Sequence, residues 1–532
     1  MTTGRPEALP GGSRLDPTPA GASPESRAGT GGGHTREVAL RIVLPLVGGA
    51  LVGLSLPPLL PWPLGIIGAG LVVAALSGRS WKGRLAVGFL AGIGQFSVAL
   101  TWALQFNSAG YVALVILESL ILGVGAALVP AAGALRVPAA AGAFTLAEWV
   151  RQSWPFGGLP LGSAALGQIG GPLQFTARLG GPLIVVLALV LAGGALAELV
   201  TGPRRATAMS WLIGVAALSG AGAVAAPAIP ASAHDRLRVA IVQGGGIRGL
   251  TELQVPPSHV LQAALQETSK ITGRPQLILW PEDVVSMGAT PFPGSAVEHE
   301  LAAIARRYHA TFIAGVTEDV GATRFRNEVV AFSPEGDVVA TYEKVHRVPF
   351  GEYVPWRSFF SHLANLKDVP RDAIPGTGSG MVATPAGRFG VLISYEVFFA
   401  ERGRSGVRAG GEVILVPTNT SSYSSNQAPA QEIAASRLQA LEEGRYVVQA
   451  APTGYSAVIT PSGVVIRRSP LSSPDVIEAT VTKISGTTPY ADAGDLPILI
   501  GSAALLALGW MTAVGRRRER PGTEPPRPAA EA

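Results

Sequence analysis

Gly390-Val391-Leu392-Ile393-Ser394-Tyr395-Glu396 is a short apolar run that stops on a hydroxyl and then a carboxylate. A run of this length and character predicts a buried strand that delivers Ser394 at its end. Working outward, the same texture recurs at Leu237–Gln243, Leu277–Trp280, Phe312–Val316, Val329–Ser333, Val338–Tyr342 and Val413–Val416. Polar-faced helical stretches lie between these runs, at Ser258–Ile271, Val297–His309 and Pro429–Glu443. Pro334-Glu335-Gly336-Asp337 and Pro461-Ser462-Gly463 carry the residues of hairpin turns. Strands alternating with helices over residues 236–487 predict one α/β domain.

The flanks read differently. Apolar segments recur at 39–57, 61–77, 85–104, 110–130, 137–151, 178–200 and 207–228, and again at 496–514. Most approach the ~20 residues that cross ~30 Å of hydrocarbon, the second and fifth being short. Only 14% of the 532 residues are charged and 48% are hydrophobic, with a mean hydropathy of +0.35. A soluble enzyme is rarely so apolar, so a transmembrane bundle over 36–228 and a final span at 496–514 are expected. The net charge of +5 lies in short loops beside apolar runs, unlike a nucleic-acid footprint. Arg79–Lys82–Arg84, Arg136, Arg204–Arg205 and Arg516–Arg517–Arg518 all face the cytoplasm if the chain starts inside and crosses eight times. That count places the α/β domain outside the cytoplasm of a multi-pass plasma-membrane protein. Residues 1–35, rich in Gly, Pro and Ser, and 515–532 read as disordered cytoplasmic tails. The absence of cysteine excludes disulfides, thiolate metal sites and a catalytic thiol. No metal cluster or nucleotide loop stands out, so no cofactor is expected.

Ionisable or nucleophilic groups sit at three strand ends. They are Glu282 in Trp280-Pro281-Glu282, Lys344 in Tyr342-Glu343-Lys344-Val345-His346, and Ser394. Each alone is ordinary: a solvated loop acid, a surface lysine, a turn serine. Together with Val348-Pro349-Phe350-Gly351-Glu352-Tyr353-Val354-Pro355 and the preceding apolar segments, they resemble the nitrilase (carbon-nitrogen hydrolase) superfamily and, within it, the apolipoprotein N-acyltransferases. The resemblance runs from about residue 39 to 514. It implies a multi-pass α-helical membrane domain joined to a nitrilase-like α-β-β-α sandwich. It also implies transfer of an acyl chain from a phospholipid to the α-amino group of a diacylated lipoprotein, without a cofactor. By the same resemblance Glu282 is the general base, Lys344 stabilises the tetrahedral intermediate, and Ser394 stands where the family has a nucleophilic cysteine. Glu352 and Asn327 match supporting residues, Tyr395 and Glu396 follow the nucleophile position, and Glu148–Gly158 (EWVRQSWPFGG) resembles the membrane-surface loop before the domain.

Serine in place of cysteine leaves several readings open. Ser394 is a slower nucleophile, or a variant residue in an active enzyme, or the mark of an impaired paralogue that binds lipid or lipoprotein. Another acyl or amide chemistry is the remaining one. A serine hydroxyl normally works with an oriented histidine, and His346 is the nearest in sequence to Lys344. The loop after the next strand, Thr418–Ser425, holds Tyr423 as its one aromatic residue where an aromatic-rich acyl pocket is expected.

Overall fold

The computed structural model describes residues 31–225, 231–250, 254–362, 366, 367 and 369–518. The first half is helical: α1 (Gly31–Leu54), α2 (Trp62–Ala75), α3 (Trp81–Ala99), α4 (Ser108–Leu128), α5 (Arg136–Ser153), α6 (Ala177–Thr201) and α7 (Arg205–Val224). Among the described residues, four stretches are long and apolar enough to cross a membrane, namely Ser108–Leu128, Pro172–Thr201, Arg205–Val224 and Leu496–Val514, while Arg41–Leu54 and Trp62–Ala75 are shorter apolar helices. Small residues let these helices approach closely, as apolar helices in lipid require. A Cβ on Gly94 of α3 would lie 2.1 Å from the Leu46 carbonyl oxygen of α1.

A period of two builds the second half. It comprises β1 (Ala231–Gln243), α8 (Pro257–Thr268), β2 (Leu277–Leu279), β3 (Val285–Ser286), α9 (Ala296–Tyr308), β4 (Thr311–Val320), β5 (Arg324–Phe332) and β6 (Val338–Glu343). There follow α10 (Arg357–Phe360), β7 (Asp372–Ala373), β8 (Met381–Thr384), β9 (Gly387–Val391), α11 (Ala400–Arg408), β10 (Val413–Pro417) and α12 (Gln427–Glu443). The chain ends through β11 (Val447–Ala450), β12 (Ala457–Ile459), β13 (Val465–Arg468), β14 (Asp475–Ile484), α13 (Pro489–Ala493) and α14 (Leu496–Arg518). One sheet runs β14-β1-β2-β4-β5-β6, with β3 on β4 and β7 on β5; the other runs β13-β12-β11-β10-β9-β8.

Alternate side chains explain why two sheets form a sandwich. Val239, Ile241, Leu277, Leu279 and Ile313 pack against Val391, Ile393, Val413, Leu415 and Val448 between the sheets. Their neighbours Ala240, Val242, Ile278, Trp280 and Phe312 face the other way, onto Leu301 and Ile304 of α9. On the far side Leu392, Ile414, Val416 and Val447 pack with Ile433, Leu438 and Leu441 of α12, in one apolar cluster continuous with the helical bundle. The second helix layer of the sandwich is thus also the floor on which the bundle sits.

The two ends of the bundle differ. The Gly78 amide donates to the Ala131 carbonyl, Arg204 to the Gly133 carbonyl, and Trp510 Nε1 to the Leu128 carbonyl. The basic loops therefore gather at one end. At the other end Gln427 of α12 receives hydrogen bonds from the Thr101 hydroxyl and the Trp102 amide, and Gln105 donates to the Ser422 carbonyl.

The predicted tails fall largely on residues outside those described, although α1 starts at Gly31 and α14 continues to Arg518. One correction concerns the opening stretch: the strand ends at Val391, and Ser394–Phe398 forms a 3-10 turn.

Candidate active site

Each site residue leaves a strand that the core holds rigid. After β2, Trp280 is fully buried and its ring N–H donates to the Thr268 hydroxyl at 2.9 Å. Pro281 and Glu282 then turn over β4, and Glu282 ends up 3% exposed. Lys344 follows β6, its amide donating to the Asn327 carbonyl at 2.9 Å. Asn327 is itself on β5.

These groups converge. Lys344 Nζ donates to Glu282 Oε1 at 2.8 Å and to Glu352 Oε1 at 2.6 Å. Asn327 Nδ2 donates to the same two oxygens, at 2.8 and 3.1 Å. Glu352 Oε2 accepts the Val348 amide at 2.8 Å, which anchors the 348–352 turn. Glu282 Oε2 accepts no hydrogen bond from a described residue. Two carboxylates thus surround one ammonium, and electrostatics follow from that count. Burial pushes Glu282 above the ordinary carboxylate range, against the opposing pull of Lys344, with Glu352 adding to the rise. Burial disfavours the Lys344 charge, but Glu282 and Glu352 outweigh it and keep the ammonium protonated. The cluster holds a permanent cation beside a carboxylate that accepts a proton readily.

Ser394 opens the turn after β9 with φ +49°, a left-handed conformation that serine adopts only when its surroundings enforce it. Glu396, two residues on, is completely buried. It accepts the Ile393 amide at 2.9 Å, the Val345 and His346 amides at 2.8 and 3.1 Å, and the Tyr342 hydroxyl at 2.9 Å. One carboxylate therefore ties the Ser394 turn to the backbone immediately after Lys344. Burial raises Glu396 above its ordinary range even so. No described residue hydrogen-bonds the Ser394 hydroxyl. Tyr395 turns away from the cluster, its hydroxyl donating to the Gly158 carbonyl of the bundle at 3.0 Å.

His346 does not serve Ser394. Its ring stacks on Phe399 at 4.1 Å and 22°, with Nε2 3.5 Å from Glu401. Burial and nearby Arg402 depress it to about 4, so the imidazole is neutral.

The sequence marks Tyr423 only as the aromatic residue of its loop and does not single out Glu432. Tyr423, in the polar Thr418–Ser425 loop, packs edge-on against Trp102 and Phe106 of the bundle and lies within electrostatic reach of Glu432, Lys344, Glu352 and Glu282. Its being the loop's one aromatic was the available signal. Glu432 of α12 is buried and accepts the Thr418 hydroxyl. Burial pushes it up to about 8. It sits in a helix whose period-3.6 pattern gave no sign of it. A separate aromatic group forms where Phe156 of the bundle meets Phe350 and Trp356 edge-on at 5.8 and 5.2 Å.

Comparison with known proteins follows this division. A carbon-nitrogen hydrolase family model matches residues 238–489, and the apolipoprotein N-acyltransferase N-terminal domain matches residues 48–195. An apolipoprotein N-acyltransferase of Vibrio cholerae is 26% identical over 492 residues, covering 86% of this chain and 95% of the relative. The chain belongs to the apolipoprotein N-acyltransferase family. The family's enzyme from Photobacterium profundum is 28% identical over 513 residues, covering 90% of this chain and 96% of its own. That from Mycolicibacterium smegmatis is 29% identical over 377 residues, 64% of this chain and 63% of the relative. Among solved structures, an amidase from Nesterenkonia sp. is similar over 49% of this chain and 98% of its own, at 18% identity and a TM-score of 0.36.

Proposed function

We propose that Ser394 is the nucleophile, Glu282 the base and Lys344 the oxyanion donor of an apolipoprotein N-acyltransferase acting in lipoprotein maturation. The single observation that carries the roles is the buried Lys344 ammonium held between Glu282 and Glu352, next to a turn that forces Ser394 into a left-handed conformation. Lys344 uses two of its three N–H groups on the carboxylates and has one for a developing oxyanion. Glu282 keeps Oε2 for a proton.

The chemistry balances in two halves. In the first, the Ser394 hydroxyl proton passes to Glu282 as Oγ attacks the ester carbonyl of a phospholipid. The tetrahedral oxyanion forms against Lys344, and its collapse expels the lysophospholipid alkoxide, which takes the proton from Glu282. Ser394 is left as an acyl ester. In the second half the α-amino group of a diacylated lipoprotein attacks that ester and gives a proton to Glu282. Amide formation then releases Ser394, which recovers the proton. A buried carboxylate with a raised affinity for protons suits both halves.

Family membership and the apolar helices make this a membrane protein. Eight crossings with the α/β domain outside the cytoplasm is the topology we propose. The gathering of the basic loops at the bundle end opposite the α/β domain supports it. Protease added to intact spheroplasts should then cut within 236–487.

The deciding experiment incubates membranes carrying the chain with phospholipid and a diacylated lipopeptide. N-acylated product, with an acyl ester on Ser394 by mass spectrometry, is expected, and Ser394→Ala should yield neither. Product from Ser394→Ala at the native rate overturns the assignment.

A further inference from the structure

The loop after α5 is fastened from two sides. From within the bundle, Arg151 is fully buried and makes four hydrogen bonds. Nε donates to Glu118 of α4 at 2.6 Å and Nη1 to Glu148 at 3.0 Å, while Nη2 donates to the Leu159 and Leu161 carbonyls at 3.0 and 2.7 Å. The guanidinium also lies 4.8 Å from the Phe96 ring centroid. Glu118 and Glu148 fix the guanidinium, and its far side fixes the loop backbone. The loop is stretched tightly back over the end of α5: a Cβ on Gly158, at φ +92°, would lie 2.1 Å from the Gln152 carbonyl oxygen.

From the α/β domain, the same loop is gripped by residues adjacent to the reacting groups. The Tyr353 hydroxyl donates to the Phe156 carbonyl at 3.0 Å, and Tyr353 follows Glu352. The Tyr395 hydroxyl donates to the Gly158 carbonyl at 3.0 Å, and Tyr395 follows Ser394. Gln431 of α12 closes the set by accepting the Gly162 amide at 3.0 Å.

We infer that Arg151 is a positioning residue for acyl transfer: from inside the helical bundle it sets the height of the Trp154–Gly162 loop, whose carbonyls orient Tyr353 and Tyr395 and through them Glu352 and Ser394. The inference rests on the site proposed above. A buried ionic group inside an apolar bundle calls for a function, and a guanidinium is the side chain that can bridge two carboxylates and two carbonyls in one plane.

The test separates charge neutralisation from loop positioning. In full-length chain reconstituted in phospholipid nanodiscs, Arg151→Met combined with Glu118→Gln and Glu148→Gln removes the cation and the acids together. We expect at least a tenfold fall in turnover with the diacylated lipopeptide. We also expect faster hydrogen exchange across 154–162 and in the peptides holding Tyr353 and Tyr395. Native turnover in this triple variant, or unchanged exchange in those peptides, overturns the inference. Should the triple variant not assemble, Tyr353→Phe with Tyr395→Phe releases the same grips without touching the bundle. The pair should reproduce both the loss and the faster exchange in 154–162, and native behaviour overturns the inference. The exchange readout needs no turnover, so a native chain without acyl transfer sinks the proposed site while Arg151 is still judged on exchange.

Discussion

Two buried clusters in this molecule share a formula, one cation between two carboxylates, and differ in what else the cation holds. In the bundle, Arg151 binds Glu118 and Glu148 and spends its remaining reach on two backbone carbonyls. At the strand ends, Lys344 binds Glu282 and Glu352 and contacts no carbonyl through its side chain. A planar guanidinium is a fixed bracket, whereas a lysine ammonium is a compact charge with a donor to spare. The first arrangement freezes a loop. The second keeps a proton acceptor and a cation ready, because Glu282 Oε2 and one Lys344 N–H have no partner within the cluster. What separates scaffold from chemistry here is where the cation's hydrogen bonds go, to a loop backbone in one cluster and to side chains alone in the other.

Substitution should break the two clusters in opposite ways. Lys344→Met removes the oxyanion donor and is expected to lower turnover by about 10³-fold or more, the scale of losing a preorganised donor. Glu282 then relieves the loss of its partner by taking a proton, a form that burial already favours. Thermal unfolding should therefore move little. Arg151→Met alone leaves Glu118 and Glu148 buried without a cation, so stability should fall by about 3–5 kcal/mol. Parallel turnover and unfolding measurements check both, and equal unfolding shifts would erase the distinction.

The pH dependence sharpens the same contrast. Catalysis needs Glu282 ionised, so kcat/KM should fall on the acid side along a limb above the ordinary carboxylate range. Glu282→Gln should abolish turnover. Glu432 tests burial without a paired cation. Its carboxyl is raised from 4.5 to about 8, so the folded state binds a proton more tightly than the unfolded one. The stability this contributes is complete below about 4.5 and is lost as pH rises through about 8, at no more than about 1.4 kcal/mol per unit. Glu432→Gln should flatten that slope in unfolding midpoints measured from pH 5 to 9. A slope unchanged by the substitution removes Glu432 from the titrating groups.

The sandwich was legible because its strands are short apolar runs with a period of two. Leu277, Leu279 and Val391 face the space between the sheets, while Ile278 faces the α9 layer and Leu392 the α12 layer. Glu282, Lys344 and Ser394 were visible as polar groups ending such runs. Glu396 was visible only as a neighbour of Ser394, and nothing local reveals that it accepts amides from residues about 50 positions away. Glu432 and Arg151 were hidden for a related reason. Each lies in a helix whose sequence sets which face is buried but not which distant loop packs there. The contact of Phe156 with Phe350 and Trp356 joins two parts of the chain about 200 residues apart, which no local pattern shows. Long-range pairing of side chains, rather than local pattern, carried that information.

The smallest effect expected is also the one that bears most directly on the serine. In an ordinary serine hydrolase an imidazole takes the hydroxyl proton, and its removal is severe. Here His346 stacks on Phe399, is depressed to about 4 and is not hydrogen-bonded to Ser394. His346→Gln should therefore change turnover less than about threefold, a difference of about 0.6 kcal/mol in the barrier. The acid limb of kcat/KM should keep its position, because that limb belongs to Glu282. A loss as large as that of Lys344→Met, or a displaced limb, would transfer the base role from carboxylate to imidazole.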